Sequence, residues 1–189
     1  MIGKKNIVFG FAFFILTALL GPYMYNVMAP KENDALQKKI QAFGELQKMQ
    51  QNKFQDDLGD KLTLDKVGEK LANAIRAVEE LKRKQEARLK LKSGAHAHGN
   101  LESLLNIVVG LALCFLAAPR LLKQAISWLF LLGALLHSGM AYLSYFPPFQ
   151  FGWAESLLKS GAGPILLLSG LVLMAVAATR WLRSEVIKD

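Results

Sequence analysis

Five side chains of this sequence have the types and spacing to do chemistry together. His96 and His98 stand in "SGAHAHGNLESLLNIVVG", residues 93–110, and Glu102 and Asn106 follow in the same stretch. The third and last histidine, His137, lies in a separate apolar block. If a helix runs from about residue 98, then His98, Glu102 and Asn106 recur every four residues and share one face. His96 sits just before that helix, and Asn100 and Ser103 border the stripe. A glutamate and an asparagine one and two turns inside an apolar run are costly against lipid, so they face a bundle interior or a water-filled cavity. His137 precedes Ser138 and Gly139, small residues that let a helix or a flat ligand approach closely.

Three uses fit these groups. Imidazole is a common axial ligand of haem, and helix bundles build such sites from inward-facing side chains. A non-haem ion would take His98 and Glu102 from one helix face, with His96 or His137 as a third ligand. The third use is structural, with the histidines capping helix ends and bonding between helices. His98 is preferred to His96 as a metal ligand because it alone shares a face with Glu102 and Asn106. A carboxylate one turn away would hold its tautomer, as carboxylates commonly do for ligating histidines.

The elements that must position these groups are apolar blocks of about twenty residues, enough to cross ~30 Å of hydrocarbon at 1.5 Å per helical residue. Such blocks occupy residues 7–28, 101–118, 125–146 and 163–181 of the 189-residue chain, which is 52% hydrophobic. None shows the alternation of a barrel strand, and lipid admits only helices or closed barrels. The expected fold is therefore an all-α integral membrane protein with four transmembrane helices in a bundle. "KKN" before the first block and "VMAP" after it resemble a secretory signal, but the apolar run is long for a signal core, so an uncleaved anchor is expected.

Residues 31–92 are polar and carry fifteen Lys/Arg and eleven Asp/Glu. Leu36, Ile40, Phe43, Leu46, Met49, Phe54 and Leu58, then Val67, Leu71, Ile75, Val78 and Leu81, recur at helical spacing. Two amphipathic helices follow, with Gly59 as a stop and Thr63 as an N-cap. Because both ends return to one membrane face, the two helices go out and return or lie flat on the surface, and the expected arrangement is an extramembrane antiparallel hairpin with its apolar stripes facing each other. The organisation is a first anchor over 1–29, the hairpin over 30–95 and a three-helix region over 96–189. "PRLLKQ" joins the second and third spans, with Pro119 ending the second. The connection to the fourth carries an aromatic belt, Phe149, Phe151 and Trp153.

The net charge of +8 does not point to nucleic acid, because the charges of the hairpin are mixed in sign along a solvated surface. Cys114 is alone, which excludes a disulfide framework within the chain. There is no Gly-rich phosphate loop and no paired-cysteine zinc pattern.

"AHAHGNLESLLNIVVGLAL", opening the second of four spans with short connections, resembles the small four-helix membrane proteins of the styrene oxide isomerase and hydroxylaminobenzene mutase group. The resemblance covers about residues 95–145. It implies haem b with His98 as axial ligand and Asn106 as a pocket residue. The types and spacing of the residues add His137 and His96 as further cofactor-binding candidates and Glu102, with Asn106, as a catalytic candidate. The activity the resemblance implies is Lewis-acid isomerisation of a small apolar substrate. Asn106 falls eight residues after His98 rather than the six of the family pattern, and the long 31–92 segment is foreign to the group. The alternative is a non-enzymatic accessory or structural subunit of a larger membrane complex for electron transfer, docked through the 30–95 hairpin. A homo-oligomer is a further expectation.

Lys4 and Lys5, Arg120 and Lys123, and Arg180, Arg183 and Lys188 fall on one side of the four spans. The positive-inside rule makes that side cytoplasmic, with the hairpin periplasmic at a bacterial inner membrane. A cysteine introduced by Gln50→Cys should accordingly react with an impermeant maleimide on intact spheroplasts. Labelling only after the inner face is opened would reverse the orientation.

Overall fold

The computed structural model describes residues 1–55, 59–147 and 149–187. Leu58 of the expected stripe and Lys188 of the basic C-terminus lie outside them. The described chain is helical, with two isolated β-bridges and no strand. Its α-helices are α1 (Lys4–Ala18), α2 (Leu20–Tyr23), α3 (Ala29–Gln51), α4 (Leu64–Lys90), α5 (Gly99–Cys114), α6 (Arg120–Ala134), α7 (Met140–Tyr145), α8 (Gly152–Lys159) and α9 (Ala162–Trp181). π-helical turns link them at Met24–Met28, Leu91–His98 and Leu135–Gly139. Among the described residues four helices are long and apolar enough to cross a membrane, and they contain the four blocks read from sequence except residues 115–118 and 146.

The chain divides into two compact units, residues 1–22 with 90–189, and residues 23–89. In the first, α1 packs on α5, α5 on α6 and α6 on α9. Glycines let α1 and α5 come close. A Cβ on Gly10 would stand 2.6 Å from the Ser103 carbonyl oxygen, and one on Gly110 would stand 2.7 Å from that of Gly3. Backbones this close maximise van der Waals contact where water supplies little drive for association. Val109, Leu113, Leu116, Ile126, Phe130, Leu167 and Ala177 form the apolar core shared by α5, α6 and α9.

The ends of these helices differ from expectation. α5 stops at Cys114, before residues 115–118. That segment turns away to pair with the end of α9 and the chain beyond it: Ala117 N–H donates to the Trp181 carbonyl at 2.8 Å, and Arg183 N–H to that of Phe115 at 2.9 Å. Proline disfavours helix in the residue before it, and Pro119 (φ −53°, ψ 140°) is the N-cap of α6. "RLLKQ" is thus the first turn of α6 rather than a connection. α8 was not expected, because its eight residues lie inside a stretch that reads as a loop. At its start and just before it, Trp153, Phe151, Phe149, Phe146 and Tyr142 form a chain of stacked and tilted rings 4.9–6.0 Å apart.

In the second unit, Thr63 caps α4, its Oγ1 accepting from Lys66 N–H at 3.4 Å. α3 ends at Gln51, because Lys53 and Phe54 take positive φ. Three ion pairs join α3 to α4: Glu32–Arg88 at 3.2 Å, Lys38–Glu80 at 3.5 Å and Glu45–Lys70 at 2.7 Å. Lys70 holds the Glu45 carboxyl below its ordinary range, and the carboxylate raises the lysine in return. The apolar stripes do not bury each other. Leu36, Ile40 and Phe43 on α3, and Leu71, Ile75 and Val78 on α4, remain exposed, while Ala35, Ala74 and Leu81 are buried.

Candidate functional site

The polar groups of α5 sort by depth. Glu102 and Asn106 are buried, at 4% and 0% exposure, and His98 is exposed. His96 and His98 both lie within helix, in the π-helical turn Leu91–His98, rather than at its start. The second such turn, Leu135–Gly139, carries His137. π-turns open the regular backbone ladder and are frequent at functional sites.

His137 Nδ1 stands 2.5 Å from Glu102 Oε1. The expected carboxylate–imidazole pair therefore exists, but the imidazole is that of His137, across from α5, and not that of His98. With the carboxylate as acceptor, Nδ1 is the donor and Nε2 is left to a ligand. The His98 ring lies beside it, centroids 5.1 Å apart and planes at 54°. Gly163 of α9 closes the back of His137: a Cβ there would stand 2.6 Å from the His137 backbone nitrogen. Glu102 Oε2 and Ser138 Oγ are buried with no hydrogen-bond partner. Unpaired buried polar atoms cost about 1–3 kcal/mol each, which marks this as a place where a further polar group belongs.

His96 stands apart from this pair. Its Nδ1 is 2.8 Å from the Thr17 carbonyl, which can only accept, so Nδ1 donates. Its ring edge lies against Gly21. Among the described residues no three His, Cys, Asp or Glu side chains are grouped so as to hold one metal ion.

Asn106 does not face a pocket. Its Nδ2 donates to the carbonyls of Glu102 at 3.0 Å and Phe130 at 3.3 Å, and its Oδ1 accepts from Asn6 Nδ2 at 3.0 Å. Asn6 Nδ2 also donates to the Ser127 carbonyl at 3.1 Å, and Ser127 Oγ donates to Asn6 Oδ1. Asn106 thus positions the turn of α5 that bears Glu102 and leaves no free amide group for a substrate. Asn100 Oδ1 accepts from Thr17 Oγ1 at 2.7 Å. Asn6, Thr17 and Ser127 escaped the sequence reading, and Ser138 was read there only as a small residue. Thr17, Ser127 and Ser138 are isolated polar residues inside apolar blocks and could have been found by the same cost argument. Asn6 was hidden beside Lys4 and Lys5.

No protein-family model, curated protein or solved structure matches the chain. Function is therefore argued from the site itself.

Asn106→Ala would remove the acceptor of an Asn6 Nδ2 hydrogen and the side-chain donor to two backbone carbonyls at once. It should lower stability by about 2–4 kcal/mol, given about 1–3 kcal/mol for each buried group left unsatisfied. Unfolding by denaturing detergent, followed by far-ultraviolet circular dichroism, reads this directly. Asn106→Asp should do comparable harm, because a carboxylate cannot donate to those carbonyls.

Proposed function

We propose that the protein is a membrane-embedded haem-b protein in which His137, oriented by Glu102, is the iron ligand and His98 is the group beside the iron. The reading is supported chiefly by one observation, the buried carboxylate behind an imidazole whose Nε2 is free. Ligating histidines commonly carry such a carboxylate, which fixes the tautomer and raises ligand basicity. The residues fit a group that needs one or two imidazoles from the protein. They fit a non-haem ion less well, since that would want three protein ligands.

Bound haem with an open coordination position would supply a Lewis acid, as the resemblance to the styrene oxide isomerase group implies. The chain's own residues would do the rest. Glu102 holds the proton on His137 Nδ1, Asn106 holds the turn of α5 under Glu102, and Gly163 lets α9 seal the site from behind. His98 would serve as a second ligand or as a polar group near a small apolar substrate. The orientation proposed is both termini in the cytoplasm and residues 30–95 as a periplasmic helical hairpin at a bacterial inner membrane.

The second reading, an accessory subunit of a larger membrane complex, is favoured by the exposed apolar residues of α3 and α4. Phe43 and Ile75 are 43% and 52% exposed. In mild detergent, a complex held by these faces should dissociate on Phe43→Asp with Ile75→Asp.

The haem reading is tested by Soret absorbance per protein after isolation from haem-replete cells. His137→Ala should abolish the band and Glu102→Gln should weaken haem retention by ~10–100-fold. His96→Ala should leave the band intact, because that ring is tied to Thr17. Loss with His98→Ala and retention with His137→Ala would return the ligand role to His98. A wild-type protein with no Soret band removes the haem reading and leaves the accessory subunit in its place.

A further inference from the structure

A cavity of about 490 Å³ opens between the start of α1 and the start of α6, lined by Met1, Lys4, Lys5, Val8, Arg120 and Gln124. Three of these residues are cations and none is an acid. Lys5 is fixed in place: its Nζ donates to Gln124 Oε1 at 2.8 Å and lies 4.0 Å over the Trp128 ring. Lys4 and Arg120 are exposed, and among the described residues neither has an ion pair. Like charges gathered around one hollow repel each other unless an anion lies between them.

The surroundings say which kind of anion. Val8 is 58% exposed, Leu121, next to Arg120, is 85% exposed, and Trp128 is half exposed beside Lys5. A dissolved ion has no use for this apolar rim. A phospholipid does, since its phosphate and its acyl chains meet the protein at adjacent levels, where tryptophan and cationic side chains also collect. Both helices begin here, so their N-terminal dipoles add to the positive potential.

We infer that this cavity is a binding site for the headgroup of an anionic phospholipid, held by Lys4, Lys5 and Arg120. The inference rests on the membrane reading given above but not on haem. On it, bound lipid clamps α1 to α6 at the end of the bundle away from His137.

The test uses the full chain in neutral detergent, titrated with phosphatidylglycerol or phosphatidylcholine while the thermal unfolding midpoint is read. Phosphatidylglycerol should raise the midpoint saturably and phosphatidylcholine should not. Lys4→Gln with Arg120→Gln should shift the titration to roughly 25-fold higher lipid, at roughly fivefold for each basic side chain near an anionic surface. Lys4→Arg with Arg120→Lys keeps the charge and should keep the binding, which guards against a variant that simply folds badly. Equal effects of the two lipids, or a wild-type titration by the glutamine variant, would overturn the inference. So would an equal shift with inorganic phosphate alone, which would make the cavity a plain anion site. Alkaline extraction of membranes separates the underlying reading: release into the soluble fraction ends both, whereas retention without a lipid preference ends only this one.

Discussion

One amide side chain joins three helices, and the candidate site depends on it. A primary amide offers two donors and an acceptor oxygen, and Asn106 uses both sides inside the protein, on Asn6, Glu102 and Phe130. Because the group is buried, any slide of α1 or α6 along α5 would leave a donor or acceptor unpaired. Apolar packing alone does not set such a register, since one leucine surface accepts another in many positions. The glycine contacts between α1 and α5 act in the same direction, by bringing backbones close enough for short side chains to reach across.

Held in this register, α5 presents Glu102 to His137 rather than to His98. Among the described residues of the first unit, the two π-helical turns lie at the histidines. Each departs from the 3.6-residue period, so the faces above and below it need not line up. His98 ends up exposed while Glu102, four residues on, is buried. The imidazole that gains a carboxylate is therefore the one contributed by the opposite helix, an arrangement that holds the ring from two elements at once.

The second unit shows a different balance. Ion pairs join its helices, and most of the larger apolar side chains of the two stripes stay exposed. Exposed ion pairs contribute little stability each. A helix pair built this way is better suited to presenting an apolar surface than to forming a core of its own.

Length and apolarity of four blocks were enough to place four long helices, because the thickness of hydrocarbon and the rise of a helix leave little choice. The cost of buried polar groups likewise singles out Glu102 and Asn106 from the sequence. What the tertiary structure decided was pairing. Residues as far apart in sequence as Asn6 and Ser127, or Glu102 and His137, meet only through helix register, which local spacing does not encode. It decided the ends of helices too: α5 stops at Cys114 because residues 115–118 find partners at the end of α9 and beyond it. Periodicity along a chain reports which face of a helix is apolar, and only packing reports what that face meets.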